Sequence, residues 1–432
     1  MASPPVRITV HDDLRRSRLT VFFRYLLAIP HYVWLALWSV AAFAAGIVNW
    51  IATLVAGRPP AALHRFLTAY VRYVSHVLSY LFLAANPYPA FTGSRGYPIE
   101  VDVEGPEPQR RLLTAFRFVL AAPALVLTVA FIGTAGPSGG EYGAERGARE
   151  AWWGAGWGGG ALLVVAFLGW FAALVTARMP HGFRDLQAYG IRYLAHTLAY
   201  WLVLTDRYPN VDPHEQPAAS GPEHPVRLHS SDDLRRSRLT VFFRWLLAIP
   251  HFVWLVLWSI AVVIVSLINW VAALVVGYPP RAFHRFLSAF LRYSTHVSAY
   301  VLLTANPFPG FTGTAGTFPV DLELPGAERQ RRLIIAFRLF LALPAILVAG
   351  ALGGLLFITA FFGWFVALAR GRMPESFRDA QAYALRYSAQ VYAYVLLVTD
   401  RYPYSGPVLG RPGAEAEPPD PGSEPDLAPA PA

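Results

Sequence analysis

The 432-residue sequence has no cysteine and no lysine. Without thiols there are no disulfides, thiolate nucleophiles, iron–sulfur clusters or cysteine-held zinc, and the redox compartment is left open. All 36 basic side chains are arginine, for which the nucleotide composition of a GC-rich genome is the simplest reading. Charge is scarce at 15% of residues against 55% hydrophobic. With a mean hydropathy of +0.38, this places the chain in the membrane class. At that hydropathy the formal charge of +9 suits anionic lipid better than nucleic acid. No Ser-His-Asp order, HExxH pair or phosphate loop stands out, and the glycines at 154–160 follow no strand, so they make no nucleotide loop. No acidic residue interrupts the main apolar runs, which counts against ion-coupled transport. The opening MASPPVRITVHDD lacks the apolar core and cleavage site of a secretory signal, so the first apolar run is expected to be an uncleaved anchor.

What the chain does have is repetition. The stretch DDLRRSRLTVFFRYLLAIPH at 12–31 returns at 232–251 with one change, Tyr25 to Trp245. Each copy joins an arginine cluster to the start of a long apolar run, as where a chain leaves water for lipid. The strong period is 220 residues, and a weaker copy lies inside each half. An arginine and a proline recur as Arg24 and Pro30, Arg117 and Pro123, Arg244 and Pro250, Arg338 and Pro344. Trp50, Trp170, Trp270 and Trp364 follow in register, read as belt or packing residues. Four modules are expected at 6–93, 98–210, 226–313 and 318–404, with a linker at 211–225 and a disordered, acidic, Pro-rich tail at 405–432. Odd and even modules differ: Asn86-Pro87 and Asn306-Pro307 stand where Asp206-Arg207 and Asp400-Arg401 stand in the others. The repeating unit is therefore a pair.

Each module opens with a period-two segment, such as Val6, Ile8 and Val10 or Ile99, Val101 and Val103, expected to form a strand and to pair into small sheets. The apolar run of 19–56 is too long for one span of roughly 20 residues, and glycines near its midpoint in other copies (Gly350, Gly353, Gly354) read as the turn of a helical hairpin. The prolines are expected to kink the first helix of that hairpin. The third segment, 61–84 in the first copy, carries a polar stripe of His64, Arg65, Thr68, Arg72, Ser75, His76 and Ser79 and reads as an amphipathic interfacial helix. The fold class is thus an all-α integral membrane protein of four repeats, each with two spans and one interfacial helix, plus short strands on the cytoplasmic face. With eight spans every arginine cluster falls on one side, named cytoplasmic by the positive-inside rule; a third helix that also crosses would give twelve spans.

With RRSRLTVFFRYLLAIPH, the RYxxH helix and the terminal NPYP-FTG in view, the sequence resembles a bacterial, largely actinobacterial, membrane family catalogued as domain of unknown function 4389. The resemblance covers about 6–404 and implies a membrane protein without supplying any site residue.

Arg72 and His76 lie four residues apart on one helical face, repeated as Arg192 with His196 and Arg292 with His296; Arg386 is followed by Gln390. With Arg24, Arg117, Arg244 and Arg338 they are the candidates for anionic headgroup binding, since the guanidinium fork suits phosphate. The alternative is that they snorkel or bond loop carbonyls. Metal or haem is not expected, because His31 becomes Ala124 and Ala345 and His76 becomes Gln390 in other copies; no cofactor is assigned. The dyads Arg184-Asp185 and Arg378-Asp379 read as ion pairs or turn caps rather than acid–base carboxylates. Three functions stay open: a non-enzymatic multi-pass protein of the cytoplasmic membrane, both termini inside, that binds anionic lipids or organises a complex with a protein partner; a transporter or lipid-moving protein; and a membrane enzyme acting on headgroups.

Overall fold

A computed structural model describes residues 6–133, 160–215 and 224–408. The loop expected around Glu141, Glu145, Arg146, Arg149 and Glu150, the middle of the linker and the tail beyond Val408 lie outside them. The order is β1 (Val6–Val10), α1 (Arg18–Leu27), α2 (Ile29–Ala56), α3 (Ala61–Leu81), β2 (Ile99–Val103), α4 (Arg111–Ala115), α5 (Arg117–Ile132), α6 (Ala161–Thr176) and α7 (His181–Trp201) in the first half. After a 3-10 turn at Pro213–Glu215 come β3 (Arg227–Ser230), α8 (Arg238–Phe242), α9 (Arg244–Leu247), α10 (Ile249–Val276), α11 (Arg281–Val301), β4 (Val320–Glu323), α12 (Arg332–Arg370) and α13 (Glu375–Val395). The alternating segments pair as two antiparallel ribbons, β1 with β2 and β3 with β4. Val6 and Ile8 face Val103 and Val101 inward while Arg7 and Asp102 face out. A two-stranded ribbon is marginal alone; here β1 lies against α7 and β2 against α3.

Among the described residues, the expected hairpin turn does not stand at the middle of the first, third and fourth apolar runs. α12 is one helix of 39 residues, and α2 and α10 are 28-residue helices without a break. Gly350, Gly353 and Gly354 lie inside α12 with nothing near the place a β-carbon would take, so they are helical glycines rather than a turn. α5 and α6 are the same element with residues inserted. Pro123 and Trp170 are 47 positions apart where the other three pairs are 20 apart, yet Gly160 touches Gly133 and Phe131, so α6 starts where α5 stops. Pro123 and Pro344 lie inside α5 and α12 without breaking them, whereas Pro30 and Pro250 stand in the first turn of α2 and α10, where a missing N–H costs nothing, just after one-residue interruptions at Ala28 and Ala248. Three helical stretches, 18–56, 244–276 and 332–370, are long and apolar enough to cross a membrane. Their side chains, among them Leu37, Val40, Phe43, Ile260 and Phe357, are largely exposed.

The third helices α3, α7, α11 and α13 depart from expectation in the opposite direction. Instead of lying on a surface they are the most buried elements: Tyr73, Tyr80, Tyr189, Tyr193, Tyr293, Tyr300 and Tyr383 are at most 1% exposed. Much of their polar stripe finds partners in protein, as described below, while Arg65 stays exposed.

The long runs join the repeats in pairs. The start of each run meets the end of its partner's: the Arg16 N–H donates to Ala177 O, Gln109 to Gly57, Arg236 to Gly371 and Gln330 to Gly277, at 2.7 to 2.9 Å. Between its ends, α2 leans first on α3, where His31 Nδ1 lies 2.7 Å from Tyr73 Oη, then on the end of α7, where Asn49 Nδ2 donates to Leu202 O at 2.9 Å. The halves meet through α12, which packs on α5 and α6, so that Ala345, Val348, Leu352 and Leu355 share one apolar core with the first half.

Candidate functional site

A helix leaves its last four carbonyls without intrahelical donors, and each third helix here ends in a left-handed residue that is not glycine: Leu83, Val203, Leu303 and Leu397, with φ of 62° to 67°. Buried arginines from the apolar runs meet these ends. Arg24 Nη1 donates to Tyr80 O and to Ala85 O at 3.0 Å, and Nη2 to Asn86 Oδ1 at 3.2 Å. Arg244 repeats this on Tyr300, Ala305 and Asn306. Arg117 donates to Thr205 O and Gln109 Oε1, and Arg338 to Tyr394 O, Thr399 O and Gln330 Oε1. Each guanidinium also lies 4.1 to 4.5 Å from the centre of a tyrosine ring: Tyr80, Tyr200, Tyr300 or Tyr394. All four arginines are at most 1% exposed.

A second cap explains the odd–even alternation and was missed in the sequence. Arg16, paired with Asp12 at 2.7 Å, donates to Leu83 O, and Arg236, paired with Asp232, to Leu303 O. In the even copies Gln109 and Gln330 take that place, donating to Val203 O and Leu397 O. The glutamines also accept from Arg117 and Arg338, so the even copies have no need of an asparagine after the helix. The four tryptophans are not free belt residues either: Trp50, Trp170, Trp270 and Trp364 donate to Thr114, Val21, Ile335 and Val241 carbonyls across each pair.

The Arg/His stripe of the third helices holds the segment that follows each copy. Arg72 Nε donates to Val101 O at 3.0 Å and pairs with Glu100 at 2.9 Å; His76 stacks on Tyr97. Arg292 donates to Leu322 O and pairs with Asp321, which His296 Nε2 meets at 2.9 Å. In the even copies Arg192 donates to Asp212 O and Arg386 to Gly406 O, both at 2.6 Å, while His196 accepts from the Asn210 N–H and Gln390 from that of Tyr404. Burial, with the neighbouring Arg72 second, lowers His76 to about 4, and burial with Arg192 lowers His196 to about 3.

A second population of arginines stays exposed, at the junctions where one run starts and its partner's ends. Arg15, Arg18 and Arg178 share the first junction, Arg58, Arg110 and Arg111 the second, Arg235, Arg238, Arg370 and Arg372 the third, and Arg329, Arg331 and Arg332 the fourth. One of each set caps the partner helix: Arg18 donates to Val175 O, Arg111 to Val55 O, Arg238 to Ala369 O and Arg332 to Val275 O. Around them stand apolar side chains that are about as exposed as any among the described residues, Leu19, Val55, Leu112, Val175, Leu239 and Leu333, at 70% to 76%.

Between the halves, Asp212, His214 and Asp379 bring three ligand atoms within 4.8 Å of one another, the one such group among the described residues that could hold a metal ion. Arg378 Nε engages Asp379 Oδ1, and the hydrogen bond between His214 and Asp212 raises the imidazole pKa. The dyads Arg184-Asp185 and Arg378-Asp379 are ion pairs, as expected. They also join the halves, with Tyr404 Oη donating to Asp185 and His214 lying 3.7 Å from Asp379.

The family described as Domain of unknown function (DUF4389) matches four times, at 18–93, 156–211, 238–312 and 332–405. No curated protein and no solved structure matches the chain.

Proposed function

From the premise that the chain belongs to the family of domain of unknown function 4389, we propose a non-enzymatic, multi-pass protein of the cytoplasmic membrane that gathers anionic lipids at its four helix junctions. In this reading the four modules, 6–93, 98–210, 226–313 and 318–404, form two pairs, and both termini and both strand ribbons face the cytoplasm. The observation that carries it is the composition of the junctions. Each sets three or four exposed arginines beside leucine or valine side chains that only a bilayer would cover. That is the composition of a membrane boundary, where a basic side chain near an anionic surface contributes about 1 kcal/mol. We assign headgroup contact to these arginines rather than to Arg24, Arg72, Arg117, Arg192, Arg244, Arg292, Arg338 and Arg386. Those eight donate to backbone carbonyls.

The test is native mass spectrometry of the protein released from nanodiscs holding equal phosphatidylglycerol and phosphatidylcholine. Replacing Arg15, Arg178, Arg235 and Arg372 by glutamine is expected to lower retained anionic lipid severalfold and leave neutral lipid unchanged. Equal retention of both lipids in variant and parent would refute the assignment.

A further inference from the structure

The described chain ends at Val408 beside one particular junction. Tyr404 Oη donates to Asp185 Oδ2, and Ser405 and Gly406 pass so close over Gly182 that a β-carbon there would meet Ser405 Oγ at 2.7 Å. The next residue back, His181, is exposed. With Arg15 and Arg178 it lines an open cleft of about 720 Å³. An adjoining hollow of about 390 Å³ is lined by Arg15, Arg16, Asn86 and Arg178.

Two acidic residues share the cleft and leave it one positive charge in excess, since Asp13 keeps its charge against Arg15 and Arg178. Asp12 is held by Arg16 at 2.7 Å, and Asp13 accepts the backbone N–H of Arg15. Among the described residues, the guanidinium groups of Arg15 and Arg178 have no carboxylate partner. Beyond Val408, residues 409–432 carry Glu415, Glu417, Asp420, Glu424 and Asp426 against a single basic residue, Arg411. Glu415 stands seven positions past Val408, a reach of up to roughly 23 Å, which covers the distance from Gly182 to the cleft. The corresponding corner of the second half is met by the Pro213–Glu215 turn instead, whose His214 approaches Asp379.

We propose that the acidic segment 409–432 docks in the Arg15–Arg178–His181 cleft and there competes with anionic lipid headgroups. Arginine forks accept carboxylate and phosphate by the same paired hydrogen bonds. A short tether raises the local concentration of the segment to the order of millimolar, so weak contacts suffice, and the exposed charges make docking sensitive to salt. The competition rests on the lipid reading above; the docking does not.

Because the chain has no cysteine, Ala416→Cys carrying a photo-crosslinker reports on the segment without background. The probe is used in the full chain, in nanodiscs of neutral lipid at low salt. Crosslinks are expected to concentrate on 12–18 and 176–181, and to fall severalfold at 0.5 M salt or in the Arg15→Gln, Arg178→Gln double variant. Crosslinks scattered over the surface, or indifferent to that variant, would overturn the docking. Ending the chain after Val408 is expected to raise retained phosphatidylglycerol severalfold at low salt without moving the melting temperature. If the crosslinks are as expected but the shortened chain holds no more lipid, the competition is wrong and the docking stands. If the crosslinks scatter while the junction variants still lose lipid, the lipid reading stands without the docking.

Discussion

Arg244 gives its terminal nitrogens to two carbonyls and an asparagine inside the protein, while Arg235, nine positions earlier, is exposed and has no acidic partner among the described residues. Replacing the first leaves buried acceptors unmatched, at about 1–3 kcal/mol each. Arg244→Leu is therefore expected to lower the melting temperature of the purified protein, read by intrinsic fluorescence. Arg244→Lys is expected not to restore it, since a single ammonium cannot bridge three acceptors as a fork does. Arg235→Gln is expected to stay within about 0.5 kcal/mol of the parent. Spacing in the sequence marked the recurring arginines, but an arginine two turns inside an apolar run looks the same whether it snorkels outward or caps a neighbouring helix. Two of the buried histidines, His76 and His196, show how burial adds a pH dependence. Burial lowers His76 to about 4 and His196 to about 3, so the unfolded chain takes up protons below about 6.5 before the folded one does. Stability is then full above that pH and falls as the pH drops toward 4. His76→Gln with His196→Gln, the residue already present at Gln390, is expected to lessen the fall of the melting temperature between pH 7 and 4.5. An unchanged slope would place the acid sensitivity elsewhere.

At the scale of elements, period-two patterning placed the strands and implied that they pair, though which pairs with which came only from the fold. The apolar runs were harder to read: some 38 apolar residues fit either a hairpin or one helix, and a glycine inside such a run reads as a turn or as a helical residue with equal ease. Substitution separates these. Gly353→Ala meets open space within a continuous helix and is expected to be neutral or to stabilise by up to about 1 kcal/mol, whereas a hairpin turn at that point would be broken by it. Gly93 is the contrasting case. Its φ is +61°, and a β-carbon would collide with Ala69 O and lie 3.2 Å from Tyr73 Cβ. Gly93→Ala is expected to cost several kcal/mol, read as loss of folded protein on extraction. The third helices misled in a different way. A polar stripe says that a face needs partners, and the strands and trailing segments that supply them are distant in sequence.

For the whole molecule, a helix of 39 residues is roughly 58 Å long, nearly twice the roughly 30 Å of a hydrocarbon core. The arginine junctions join the two runs of each half at both ends, so four copies of one short pattern build two closed pairs rather than four separate anchors. If both ribbons face one side, cysteines placed at Thr9 and His229 are expected to react with an impermeant label from the same side of sealed vesicles; labelling from opposite sides would invert one half relative to the other. The assignment that matters most is the division of arginines by burial. It is tested by measuring lipid retention and melting temperature together in two variants: Arg15→Gln with Arg178→Gln, Arg235→Gln and Arg372→Gln, and Arg24→Leu with Arg244→Leu. The expected result is loss of phosphatidylglycerol at an unchanged melting temperature in the first, and a lowered melting temperature in the second with anionic lipid still bound to the folded fraction. Loss of anionic lipid from the second variant alone would contradict the division and return the headgroup site to the buried arginines.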